Sequence, residues 1–131
     1  MKTLVIDDSR AVRAILRKYL QAMGHTVLEA GDGAAALDLL RQNPDAALAL
    51  VDWNMPVMDG LALVKAVRAE PAIAGVRLIM VTTETEMEHV AKALEAGADE
   101  YIMKPFTQEM IAEKLSLAGL SAGQTAESAP C

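Results

Sequence analysis

Aromatic side chains are nearly missing from this chain: one Trp, two Tyr and one Phe among 131 residues. Since 53% of the residues are nonetheless hydrophobic, the core must be aliphatic and rich in Met and Ala. Cysteine is almost absent as well. The single Cys131 is the last residue, which excludes a disulfide framework and points to a reducing compartment. Basic charge is outweighed, with 12 Lys and Arg against 18 Asp and Glu, for a net charge of -6. That balance argues against non-specific nucleic-acid binding, which needs a basic surface, and against adhesion to an anionic membrane. No apolar run approaches the roughly 20 residues that span a bilayer. Met1-Lys2-Thr3 leads straight into a strand-like run, with no signal-peptide apolar segment. The expectation is a cytoplasmic, acidic single domain, large enough for a real core.

What the chain does have is a set of four apolar runs that stop abruptly at polar residues. Thr3-Leu4-Val5-Ile6 ends at Asp7-Asp8, and Ala47-Leu48-Ala49-Leu50-Val51 ends at Asp52. Leu78-Ile79-Met80-Val81 ends at Thr82-Thr83, and Tyr101-Ile102-Met103 ends at Lys104-Pro105. Short runs of this kind are the pattern of parallel strands buried on both faces. In an open α/β sheet ligands bind beyond the carboxyl ends of the strands, so these polar residues should converge at one edge.

Helical patterns alternate with the runs. Ser9 can cap a first helix with Val12, Ile15, Leu16, Tyr19, Leu20 and Met23 on one face, stopped by Gly24. His25 to Ala30 reads as a strand, placed at the sheet edge because charge interrupts it. A second helix runs from about Gly33 to Gln42, ended by Asn43-Pro44, and a third from Gly60 to about Ala69. Glu86 to Ala96 reads as a fourth, with Met87, Val90, Ala91 and Leu94 on its inner face and Gly97 at its end. Thr107 caps a fifth that carries Met110, Ile111 and Leu115. Fivefold alternation favours a parallel sheet covered by helices on both faces. From Gly119 the composition turns to Ser, Ala, Gly, Gln, Thr and Pro without periodicity. Residues 1–118 are therefore read as the domain and 119–131 as a flexible tail, either a true terminus or the start of a linker.

Each strand end has a bland explanation on its own. Asp7 and Asp8 could cap a helix, Asp52 could close a turn, Thr82 could fill a strand, and Lys104 could be solvated. The combination is more telling. Three carboxylates at one edge repel one another unless a cation sits among them, and Mg²⁺ suits oxygen ligands shared with a phosphoryl group. Lys104 supplies a compact ammonium that can bind carboxylate or phosphate oxygens. Pro105 makes a rigid turn there, for which a cis Lys104-Pro105 bond is the usual reason.

At these residues the sequence resembles the receiver domains of two-component response regulators, the single-domain, CheY-like chemotaxis type among them. The matching motifs are Asp7-Asp8, the block from Asp52 through Trp53, Asn54 and Pro56 to Asp59-Gly60, the strand end Val81-Thr82-Thr83, and Tyr101-Ile102-Met103-Lys104-Pro105-Phe106. The resemblance covers about residues 2–117. It implies a flavodoxin-like, doubly wound five-stranded parallel sheet in the order 2-1-3-4-5, with five helices.

The resemblance also implies roles. Asp52 is the phosphoacceptor, taking a phosphoryl group from a phosphohistidine or from acetyl phosphate. Asp8 and Asp52 bind Mg²⁺ directly, the backbone carbonyl of Asn54 adds a ligand, and Asp7 acts through water. Thr82 and Lys104 hold the phosphoryl oxygens, and Thr82 with Tyr101 forms a switch that alters the surface of the fourth helix, fifth strand and fifth helix. The implied partners are a histidine kinase or histidine phosphotransfer protein and an output protein on that surface, with the chain a monomer. Asn54 and Glu84 are similar to the pair in fast-turnover chemotaxis regulators, whereas Thr83 stands where Ala or Gly is usual and leaves the lifetime open.

Competing readings are weaker. Aspartyl phosphatases of the haloacid-dehalogenase type carry a second acid two residues after the nucleophile, where this chain has Asn54. A flavin or nucleotide carrier would have a Ser-, Thr- or Gly-rich loop after the first strand, where Asp7-Asp8 would repel phosphate. No helix-turn-helix follows the fifth helix, so direct DNA binding is not expected. Phosphorelay, phosphate-sink and output-domain roles stay open. Arg10, Arg13 and Arg17 lie opposite the apolar stripe of the first helix, as a solvated face or as a dock for an acidic kinase surface.

Overall fold

A computed structural model describes residues 2–53, 58–83 and 89–119. The elements are β1 (Lys2–Ile6), α1 (Arg10–Ala22), β2 (Thr26–Ala30), α2 (Gly33–Gln42), β3 (Leu48–Asp52), α3 (Gly60–Ala69), β4 (Arg77–Thr82), α4 (Val90–Ala96), β5 (Glu100–Met103) and α5 (Gln108–Leu117). The strands pair in parallel in the order β2-β1-β3-β4-β5. This is the doubly wound order that the family resemblance implies. β2 is an edge strand, as its interrupted pattern predicts, and all five residues of the central β3 are buried.

Side-chain alternation along the strands divides the core in two. Ala49 and Val51 of β3 join Leu37 and Leu40 of α2, Leu63 and Val67 of α3, and Ala93 of α4. Leu48 and Leu50 point the other way, to Leu16 and Leu20 of α1 and Ile111 and Leu115 of α5. α1, α2, α3 and α5 start where side-chain oxygens accept orphan backbone N–H groups. Ser9 accepts from Val12, and Thr107 from Met110. Asp32 and Asp59 accept from Ala35 and Ala62 in the same way. Each such cap contributes about 1 kcal/mol. α1 ends at Met23, followed by Gly24 at φ 90°, a conformation that favours glycine.

Two predicted helix faces need correction. Ile15 is 45% exposed, because α1 meets the sheet along Leu16 and Leu20, and Ile15 lies about 100° round the helix from Leu16. On α4, Val90 and Ala93 are buried, whereas Ala91 is exposed and Leu94 is 40% exposed. The contact line passes through the i, i+3 pair Val90 and Ala93, which turns Ala91 and Leu94 outward. Glu86 and Met87, expected in the same helix, lie outside the described residues, as does the tail beyond Gly119.

Arg68 ties the far side of the sheet together. It donates to the carbonyls of Gly97 at 2.9 Å, Ala74 at 2.6 Å and Val76 at 2.6 Å, and pairs with Asp99 at 2.9 Å. Asp99 in turn accepts from the N–H of Leu78 at 2.9 Å. The ends of α3 and α4 and the starts of β4 and β5 thus share one guanidinium. Among the described residues no helix is long and apolar enough to cross a membrane.

Candidate metal centre

Asp7 and Asp8 follow β1, and Asp52 is the last residue of β3, its neighbour in the sheet. Beyond these two strands the chain leaves in opposite directions, to α1 on one face and α3 on the other, which opens a crevice at the carboxyl edge. One carboxylate oxygen from each of Asp7, Asp8 and Asp52 lies within 4.8 Å of the others. Asp7 and Asp52 are buried at 1% and 5% exposure, and Asp8 is exposed. The crevice is narrow because Gly60, at the start of α3, donates its N–H to the carbonyl of Trp53 at 3.1 Å. A Cβ on Gly60 would stand 2.9 Å from the Asp52 carbonyl oxygen, so only glycine lets α3 begin this close to β3.

Lys104 enters from the end of β5. Its Nζ is 3.4 Å from Asp7 Oδ2 and 3.3 Å from Asp52 Oδ1. The Lys104-Pro105 bond is cis, as the rigid turn suggests. Its backbone N–H donates to the carbonyl of Thr82 at 2.7 Å, which joins the two remaining strand ends. Thr82 is 2% exposed, and its hydroxyl lies 3.4 Å from the Thr83 carbonyl among its contacts.

The electrostatics are those of a site short of positive charge. Burial, reinforced by the charge of Asp7, pushes the Asp52 carboxyl up to about 6, against the pull of Lys104. Burial lowers the Lys104 pKa, but Asp52 and Asp7 outweigh it and leave the ammonium above its usual value. Three convergent carboxylates with one ammonium beside two of them form an all-oxygen donor set of net negative charge. A hard divalent cation that binds a few carboxylates and keeps its waters fits that set.

The residues around the cluster are only partly as expected. Tyr101 is half-buried on the sheet face of Met80, its partner in β4, with Lys114 Nζ 4.5 Å from its ring centroid. Asn54 and Glu84 lie outside the described residues. The basic face of α1 is not a free strip, because Arg13 and Arg17 both pair with Glu29 of β2, and of the three only Arg10 has no ion pair among the described residues. A contact that sequence reasoning missed is the stack of Trp53 on His89. No local pattern links these residues, which are far apart in the chain.

A five-stranded parallel sheet with an acidic cluster between β1 and β3 and a lysine from β5 defines a receiver domain. Residues 3–116 match the family described as response regulator receiver domain, and the chain belongs to that family. It is 48% identical over 128 residues to a chemotaxis protein CheY homolog of Campylobacter jejuni, covering 96% of this chain and 98% of that one. Chemotaxis protein CheY1 of Helicobacter pylori is 45% identical over 118 residues, with 89% and 95% covered. The structure of Vibrio cholerae chemotaxis protein CheY4 superposes with a TM-score of 0.80 at 36% identity, covering 88% of this chain and 95% of that one.

Proposed function

We propose that this chain is a phosphorylation-dependent signalling switch, with Asp52 as the phosphoacceptor. The observation that carries this reading is the convergence of Asp7, Asp8 and Asp52 within 4.8 Å, with Lys104 beside two of them. The donor is the phosphohistidine of a histidine kinase or histidine phosphotransfer protein, or a small acyl phosphate such as acetyl phosphate. A carboxylate oxygen of Asp52 attacks phosphorus and forms an O–P bond. The P–N bond to the donor imidazole breaks with its electron pair left on nitrogen, or with acetyl phosphate the P–O bond breaks and acetate leaves; Asp52 becomes an acyl phosphate. Mg²⁺ held by Asp7, Asp8, Asp52 and the Asn54 carbonyl would neutralise charge that otherwise repels the phosphoryl group.

Lys104, already between Asp7 and Asp52, exchanges carboxylate oxygens for phosphoryl oxygens. The Thr82 hydroxyl donates to another of them. Tyr101 stands on the same sheet face two residues from that level, since it pairs with Met80 in the register. An inward turn of its ring would leave Lys114, which also pairs with Glu100 at 3.4 Å. The charge pattern of the α4–β5–α5 surface then changes, and with it the affinity for an output protein. The protein is a phosphoacceptor with its own phosphorylation and dephosphorylation chemistry, not a turnover enzyme.

The names of its relatives support a place in chemotaxis or motility signalling. We take residues 1–118 as the receiver, with 119–131 outside it, and the protein as a cytoplasmic monomer. Incubation with a radiolabelled phosphorylated histidine kinase tests the assignment. Label should pass to the wild type and not to Asp52→Asn; equal label in the variant would remove Asp52 from its role.

A further inference from the structure

The three arginines of α1 are not equivalent. Arg13 Nη1 donates to the backbone carbonyl oxygen of Asp7 at 2.6 Å, and its Nε donates to Glu29 Oε1 at 3.1 Å. Its side chain is only 17% exposed. Arg17 grips the second oxygen of the same Glu29 carboxylate, while Glu29 of β2 holds the Arg13 guanidinium directly as it reaches the loop after β1.

That contact completes the fixation of Asp7. Its N–H donates to the Ala30 carbonyl at 3.1 Å, its Oδ1 accepts from the Ser9 N–H at 2.8 Å, and its Oδ2 faces Lys104 at 3.4 Å. Asp8 is the opposite case. It is exposed, and among the described residues no hydrogen bond or ion pair holds its carboxylate. Its place depends on where the backbone sets its Cα and on its own side-chain torsions. The Asp7 carbonyl and the Asp8 nitrogen share one planar peptide unit, so whatever fixes that carbonyl fixes the position of the Asp8 Cα from which its side chain starts.

We propose that Arg13 is a positioning residue for the metal centre: by clamping the Asp7 carbonyl it sets the Asp7–Asp8 peptide plane and aims the Asp8 carboxylate at the cluster shared with Asp52. The proposal rests on the reading that the cluster takes a divalent cation. Geometry and charge make opposite demands here. A guanidinium near a cation site weakens it electrostatically, so if Arg13 acted only through its charge, removing it would tighten metal binding. Partners that orient first ligands act the other way, and their loss typically weakens metal affinity by about 10-fold to 100-fold.

The test is a Mg²⁺ titration of the wild type, Arg13→Met and Arg17→Met, followed by Trp53 emission and by the Asp8 amide signal in NMR. Arg17→Met loosens the same helix from Glu29 without touching the Asp7 carbonyl. Arg13→Met should weaken Mg²⁺ binding about 10-fold and shift the Asp8 amide before any metal is added, while Arg17→Met should bind like the wild type. Arg13→Gln, too short to reach the carbonyl, should behave like Arg13→Met and serves in its place if that variant does not fold. Unchanged or tighter binding in the Arg13 variant would overturn the proposal, as would an equal loss in Arg17→Met. A wild type with no saturable Mg²⁺ response would overturn the metal reading itself, and the positioning role with it.

Discussion

Trp53 and His89 stack nearly face to face, with ring centroids 4.8 Å apart and planes 14° apart. Trp53 directly follows Asp52 on β3, and His89 directly precedes α4. The stack is therefore a physical link between the candidate phosphoacceptor and a helix of the proposed output surface. Because Trp53 is the only tryptophan, its emission reads this link without interference.

His89→Ala should remove one wall of the indole environment and shift Trp53 emission to longer wavelength. The Mg²⁺-induced change in emission should persist, since none of the carboxylates is altered. An emission maximum identical to that of the wild type would show that the stack is not kept in solution.

Asp52→Asn should stabilise the metal-free protein. The folded carboxyl has its pKa raised from 3.8 to about 6, so above that pH the fold carries a buried charge that the unfolded chain leaves in water. The cost is present at neutral pH and disappears as pH falls from about 6 towards about 4. Urea denaturation at pH 7 in the presence of a chelator should give the variant about 1–3 kcal/mol more stability. The gap should close in acid. A variant less stable than the wild type would show that burying the Asp52 charge carries no cost.

His25 should produce the opposite trend. Its ring is buried at 7% exposure and shares a 2.7 Å hydrogen bond with the fully buried Thr3 hydroxyl. Burial, aided by the positive chain terminus, holds its pKa below 6.5. Below the unfolded value of 6.5 the unfolded chain takes up a proton that the fold resists, so stability is lost as pH falls from there towards the folded pKa. The stability difference between wild type and His25→Gln, measured from about pH 7.5 to about pH 5, should shift steadily against the wild type. A difference independent of pH would show that His25 titrates as freely folded as unfolded.

The sheet and its polar edge were readable before any coordinates because their signals are local. Leu48 to Val51 is apolar at every position, as a strand buried on both faces must be, and the chain turns polar where the strand leaves the core. α2 and α3 begin at Gly33 and Gly60, as read from pattern and terminators, though Asp32 and Asp59 went unrecognised as their caps. Periodicity marks a helix but does not choose which of two adjacent apolar lines meets the sheet, which is why Ile15 and Leu94 read as inward in the sequence. The long-range contacts were illegible for a different reason. Arg13 with Glu29, Arg68 with Asp99, and Trp53 with His89 are brought together only by the order in which the strands assemble. An arginine that clamps a carbonyl also looks the same in sequence as one that faces water.

In the proposed function Asp52 is a nucleophile activated by a metal-binding acidic pocket. Intact-protein mass spectrometry after incubation with acetyl phosphate tests it without needing the cognate kinase. With Mg²⁺ the wild type should gain a single phosphoryl group. That gain should vanish in Asp52→Asn and fall sharply when a chelator replaces the metal. Equal phosphorylation of Asp52→Asn, or labelling of the wild type indifferent to Mg²⁺, would remove Asp52 from that role.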